Sequence, residues 1–476
     1  MNLSQFISVL DDFAWGPVML ILLVGTGFYL SFRTGFLQFT HIPYWWKNTA
    51  GKLLSKHEAG EGEVTPLQAL TTALAATVGT GNIAGVTGAI FIGGPGAVFW
   101  MWVAALVGMV TKYAEVVLAV RYRERNDNGD WVGGPMYYIK NGMGKNWAWL
   151  GSVFCVLAAL AAFGIGNATQ VQSIADAVNN AIDSFTPNAA STFLFFGTNV
   201  RVSTFIVGVV VALIVALVLF GGIKRIGQVT EKLVPFMAVL YIVAALFVIL
   251  ANFSQLGKVF SMIFRGAFNA DAALGGTFGI TVLTSMKKGV GRGCFSNEAG
   301  LGSAPIAHAA TSETDPVKQG LYGIFEVFMD TIVICTLTSL TVLCAYAAGG
   351  ISIPWGAGGN GSNVAAAMST VFGSRLSAVV IAICLSLFAL STILSWSLYG
   401  TRCFEYLFGV KATRIYQVVF VVFVIVGATM TLADAWNLAD ALNGFMAIPN
   451  LIALLALSGV IVKLTKEHMD AQAPKE

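Results

Sequence analysis

The apolar run over residues 67–92 is interrupted near its middle by Thr77-Val-Gly-Thr-Gly-Asn82. A run of that length can cross a bilayer as one helix, for which ~20 residues suffice. Hydrocarbon offers no water to an open N–H or C=O, so irregular backbone persists at that depth only where it is buried in protein or lines a cavity. Two glycines, two threonines and an asparagine at mid-span therefore indicate that something polar is held there, and a discontinuous helix is a pointer to a transporter binding site. The alternative is structural: small residues in membrane helices also permit close helix packing.

The rest of the chain agrees with a membrane setting. Of 476 residues, 56% are hydrophobic and only 11% charged, against about 25% charged in soluble domains. A net charge of +3 is too small to suggest a nucleic-acid partner. The six cysteines form no CxxC pair and lie mostly in apolar runs, which predicts buried, inert thiols without disulfides or a metal cluster. Asp11 and Asp12, rather than cations, precede the first apolar run, so this run reads as a retained span and not a cleavable signal.

Hydropathy predicts an all-α polytopic membrane protein of eleven transmembrane helices, over 13–33, 67–92, 95–121, 147–183, 202–221, 233–253, 271–290, 317–347, 375–404, 413–431 and 434–463. On this assignment 22 of the 27 Lys and Arg fall on one side, including the four of the 287–318 segment. Arg201, Lys258, Arg265 and Arg375 fall on the other, and Lys112 within a span. The positive-inside rule makes the rich side cytoplasmic, with the N-terminus outside and the C-terminus inside. Phe36–Leu54, mixing aromatics with Lys47 and Lys52, reads as an interfacial cytoplasmic helix or an ordinary loop.

The expected organisation is an N-terminal span and cytoplasmic segment over 1–66, a first repeat over 67–253, a second over 254–463 and a cytoplasmic tail over 464–476. Setting aside the first span leaves five helices per half. An odd number forces the halves to insert with opposite topology, as inverted repeats do. Their opening helices both carry interruptions, at Thr77–Asn82 and at Leu274-Gly-Gly-Thr-Phe-Gly279.

An unwound midpoint presents two helix ends. Amides of Thr80 and Gly81, opening the second half, carry partial positive charge and suit a carboxylate. Carbonyls of Thr77 and Val78, closing the first half, suit an ammonium group or Na⁺, with Asn82 adding a neutral amide oxygen. An amino-acid zwitterion with Na⁺ satisfies all of these. Gln170 can donate to the substrate carboxylate or make an interhelical hydrogen bond. Ser391 and Thr392, with the carbonyl of Phe388, can supply three oxygens to one cation, or can back-bond to their own helix. Glu115 is an ionisable group inside a span, expected to bond backbone freed by a break. Lys112, a turn away, is expected to snorkel to the cytoplasmic face.

Four strings resemble the alanine or glycine:cation symporter family of sodium-coupled amino-acid carriers. They are Val78-Gly-Thr-Gly-Asn-Ile-Ala-Gly-Val86, Gly94-Pro-Gly-Ala-Val-Phe-Trp-Met-Trp102, Gly133-Gly-Pro-Met-Tyr137 and Phe295-Ser-Asn-Glu-Ala-Gly-Leu-Gly-Ser-Ala-Pro305 with Ala307-His-Ala309. The resemblance implies a leucine-transporter-like core of 5+5 helices after one extra N-terminal helix. It places the substrate carboxylate on Thr80 and Gly81, its amine near the carbonyl of Thr77, and Gln170 beside the carboxylate. Gly276 and Thr277 join as substrate-binding residues, with Phe278 gating the pocket. Asn82 with Thr77 matches a first sodium site; Ala75 and Val78 with Phe388, Ser391 and Thr392 match a second. Glu115 matches a glutamate that braces unwound backbone.

The family implies sodium-coupled uptake of alanine or glycine across the cell (inner) membrane, Na⁺ being the coupling ion, with no obligatory protein partner evident. A proton-coupled or glutamine-type carrier of the same fold is the alternative; proton coupling favours an ionisable residue at the cation site, where Glu115 is the only candidate. An enzyme is disfavoured, since no HExxH, Ser/His/Asp set or intramembrane carboxylate pair is evident. A pore is disfavoured because one chain carries both halves.

Overall fold

The computed structural model describes residues 3–52, 60, 62–186, 191–195, 198–269, 281–429 and 433–472. Among them, nine helices are long and apolar enough to cross a membrane, and the pair Pro66–Thr77 and Gly81–Gly93 makes one further span bent by 48°. The protein is a multi-pass helical membrane protein. Its few strands pair as two short antiparallel hairpins, 124–125 with 131–132 and 192–195 with 198–201.

Local sequence explains where the spans begin. Thr65 caps the first broken helix in a capping box with Gln68, and Pro66 sits at its first position, where no N–H is required. Asp315 accepts from the amides of Val317 and Lys318 ahead of Pro316 and so opens the helix that leads to Ala347. Burial then sorts the helices. Ala97–Arg121 is 89% buried over its apolar window, whereas Val202–Leu219 is 33% buried, as a helix facing lipid should be. The site is assembled from the inner set.

The largest departure from expectation concerns the second broken helix. Residues 270–280, with the expected interruption at 274–279, lie outside the described residues. The described helix runs Val282–Asn297, past the expected end of that span at 290, ends at Glu298, and resumes as Ala304–His308, so a break lies at 298–303. Helix Val282–Asn297 packs on the second half of the first broken helix and on the start of Ala97–Arg121. Gly289 abuts Ala97, and a Cβ on Gly93 would meet that of Lys288 at 3.0 Å. Lys287, Lys288 and Arg292 therefore stand at the end of the molecule opposite Lys318. Moving these three from the richer side still leaves a bias of 19 cations against 7.

Smaller corrections follow the same pattern. The last expected span, 434–463, ends at Ala456, and Ser458–Gln472 forms a separate helix. The segment after the first span folds as two short helices, Leu37–Thr40 and Ile42–Asn48, whose Trp46 stacks edge-on against Phe325 and Phe328. Lys112 does not snorkel: it is fully buried and pairs with Glu326 at 3.3 Å. All six cysteines are free and buried.

Candidate functional site

Helix Pro66–Thr77 ends at Val78, and a π-helical turn, Gly81–Gly85, opens its second half. Two further π-helical stretches face this region, Gly164–Ala168 and Phe328–Cys335. Each widens its helix and frees backbone groups, a feature frequent at functional sites. The break is held by Asn82. Its Oδ1 accepts from the amide of Gly79 at 2.8 Å, while its Nδ2 donates to Asp330 Oδ1 at 2.6 Å.

The break at 298–303 is braced by Glu115. Glu115 Oε1 accepts from the amides of Gly300 (3.0 Å) and Gly302 (3.1 Å) and from Asn450 Nδ2 (2.5 Å). Both glycines have positive φ, +89° and +83°. Replacing Glu115 by alanine strands two buried amides and leaves Asn450 Nδ2 only the carbonyl of Gly300, and should lower stability by roughly 2–3 kcal/mol. A fall of several degrees in the melting temperature of the detergent-solubilised protein is the expected readout; an unchanged melting temperature would remove the bracing role.

Four of the five residues expected at one cation site converge. Thr392 Oγ1 lies 3.0 Å from the carbonyl of Ala75 and 3.0 Å from that of Phe388; Ser391 Oγ lies 3.3 and 2.8 Å from the same two oxygens. Val78, the fifth, is the buried C-cap residue directly before Gly79. A Cβ on Gly79 would come within 2.5 Å of Thr392 Oγ1, so only glycine lets the break approach this helix. The donor set is neutral oxygen throughout, which fits a hard monovalent cation such as Na⁺.

Gln170 makes the interhelical bond through its Oε1, which accepts from the hydroxyl of Thr80 (3.0 Å), while its Nε2 donates to the carbonyl of Ile165 in its own helix (2.8 Å). The hydroxyl of Thr77 faces back to the carbonyls of Ala73 and Leu74. Thr77, Gly79, Gly81, Gln170 and Thr392 line a small pocket of about 20 Å³, room for about one water. A vestibule of about 480 Å³ adjoins it, reached past Gly88, Lys287, Arg292 and Asn360. Gly81, Gln170 and Phe295 line both. At the opposite end, Arg123 ties down the segment after the second break by donating to the carbonyls of Ala309, Thr311 and Glu313.

Gly276, Thr277 and Phe278 lie outside the described residues. The aromatic side chain found between pocket and vestibule is Phe295, whose ring would meet a Cβ on Gly81 at 3.7 Å and which stacks under Arg292 and beside Trp15. Sequence reasoning also passed over Ser296, Glu298, Asp330 and Asn443. Asp330 is fully buried, accepts from Asn82, Ser296 and Thr331, and lies about one turn from the equally buried Glu326. Glu115 is therefore not the only ionisable group near the breaks, and the inner spans do hold more than one carboxylate. An acid in an apolar run was the available signal.

A family model described as the sodium:alanine symporter family matches residues 1–476. The chain belongs to the sodium:alanine symporter family. Among its relatives, the sodium/alanine symporter AgcS of Methanococcus maripaludis is 46% identical, with 98% of this chain and 97% of that protein covered. The "Probable sodium/glutamine symporter GlnT" of Bacillus subtilis is 35% identical over 98% of this chain and 91% of its own length. The crystal structure of MhsT in complex with L-phenylalanine superposes with a TM-score of 0.58 at 15% identity, covering 86% of this chain and 99% of MhsT. That likeness shows a shared fold.

Proposed function

We propose that this protein is a sodium-coupled symporter that carries a small neutral amino acid, alanine or glycine, into the cell by alternating access. The observation that carries the reading is the cluster of neutral oxygens from Ala75, Phe388, Ser391 and Thr392. It ties the first broken helix to the helix Ser374–Phe408 beside the pocket. Sodium bound there joins two elements that must move relative to each other, so ion binding and substrate binding are coupled through the same break.

In this reading the substrate carboxylate lies on the amides of Thr80 and Gly81, its amine near the carbonyl of Thr77, with Gln170 turning from Thr80 to the ligand. Asn82 with Thr77 forms a first cation site, to which Asp330 and Ser296 contribute through the carboxamide of Asn82. The two broken helices open inverted repeats of five helices each. In this reading the chain lies in the cell (inner) membrane; the cationic bias supports an outside N-terminus, and with it an extracellular vestibule.

Phe295 and Trp396 around the pocket favour a small side chain over glutamine. A proton-coupled carrier is the second reading, supported by the buried carboxylates near the breaks. Uptake into proteoliposomes with Na⁺, Li⁺ or a proton gradient, competed by each amino acid, separates these. Labelled alanine or glycine should enter only with Na⁺ and exchange by counterflow; uptake driven by a proton gradient alone would overturn the sodium reading.

A further inference from the structure

Glu298 is the first residue of the second break and holds φ +55° and ψ +17°. Apart from Phe36 it is the only non-glycine residue with positive φ among the described residues. That conformation is unusual for a residue with a Cβ and merits a functional question. Here its carboxylate, buried to 4% exposure, lines the small pocket together with Thr77, Gln170, Trp396 and Asn443.

The carboxylate has incomplete partners. Oε1 accepts from Trp396 Nε1 at 3.0 Å, and Oε2 accepts from the hydroxyl of Ser303. Both donors are neutral, and a carboxylate offers about four acceptor positions. Among the described residues no Lys, Arg or His nitrogen is within ion-pair distance of it. The other buried acids each meet a cation or three donors, although Oε2 of Glu115 has no hydrogen-bond partner. Glu326 has Lys112, Glu115 has two amides and Asn450, and Asp330 has Asn82, Ser296 and Thr331. Of these four acids Glu298 alone lines the pocket. A buried charge is retained at reasonable cost only when an opposite charge or several donors meet it.

We infer that the Glu298 carboxylate is the anionic ligand of the substrate's ammonium group. The inference rests on the proposed function, deepening it at the amine end. With the substrate carboxylate on Thr80 and Gly81, the pocket opposes a partial positive charge on one wall with a carboxyl group on the other. That polarity selects a primary α-ammonium: a hydroxy acid or an unsubstituted carboxylic acid of the same size leaves Glu298 buried and unmatched. Trp396 and Ser303 then act as positioning residues that hold the carboxylate toward the pocket.

The test is binding of labelled alanine and glycine to the purified full-length protein in saturating Na⁺, comparing native with Glu298→Gln. Glutamine keeps the shape, an oxygen for Trp396 and a polar group for Ser303. The variant should bind both amino acids about 10- to 100-fold more weakly, as expected for loss of a charge-assisted contact. Its binding of ²²Na⁺ without amino acid should stay within about threefold of native. Amino-acid affinity within about threefold of native would overturn the inference. Should the variant fail to fold, the native protein carries the test through carbodiimide labelling of Glu298 read by mass spectrometry. Saturating alanine with Na⁺ should block that labelling, and unchanged labelling overturns the inference. Failure of the native protein to bind any small neutral amino acid in Na⁺ would instead remove the proposed function itself.

Discussion

Replacing Gly81 by leucine is expected to abolish alanine binding, weakening it more than about 100-fold, while ²²Na⁺ binding survives. The pocket offers only about 20 Å³, and a Cβ at residue 81 already stands 3.7 Å from the Phe295 ring. One methyl fits at ordinary contact distance, so Gly81→Ala should keep affinity within a few-fold. The three further carbons of leucine would stand at the junction of pocket and vestibule, across the space where a carboxylate would approach the amides of Thr80 and Gly81. Retained alanine binding by the leucine variant would exclude this wall as the anion cradle. The alanine variant separates loss of space from a general disturbance of the break.

The joint replacement of Ser391 and Thr392 by alanine should raise the sodium concentration for half-maximal uptake by roughly 10- to 100-fold, each lost oxygen contributing on the order of 1 kcal/mol. The two hydroxyls lie 2.8–3.3 Å from the carbonyls of Ala75 and Phe388, so removing both halves the oxygen cluster without touching backbone. Because both side chains are small and buried, the packing loss is minor. Maximal uptake at saturating sodium should be far less affected than the sodium dependence. An unchanged half-saturation would show that the coupling ion sits elsewhere, with the Asn82 and Asp330 cluster the next place to look.

The first break was legible because Thr77–Asn82 carries polar and glycine residues inside an otherwise continuous apolar run, a pattern with few explanations in hydrocarbon. The hydroxyl pair 391–392 was legible for the same reason, and geometry then chose its partner across the molecule. The break at 298–303 was not anticipated, for a physical reason. Helix Val282–Asn297 lines the vestibule with Lys287, Lys288 and Arg292, so its polarity resembles that of a loop at a membrane surface. A hydropathy reading slides the span toward the more apolar stretch before it. Glu298 and Asp330 were missed because their meaning depends on long-range placement. One needs the left-handed turn at 298, the other the contact with Asn82 across 248 residues. Charge counting survived the error, since three cations of 27 changed sides without reversing the bias.

The burial of all six cysteines has a practical side. Sulfhydryl reagents added from either face of a membrane will find little native thiol to modify, so the wild-type chain already serves as a silent background for single-cysteine reporters. A cysteine introduced at Gly88, on the vestibule wall, and another at the buried Ala310, between the two carbonyls of Ala309 and Thr311 that Arg123 holds, would become two clocks of opposite phase. One is readable while the vestibule stands open, the other once the far side releases, and both are obtainable without first stripping the protein of its own sulfur.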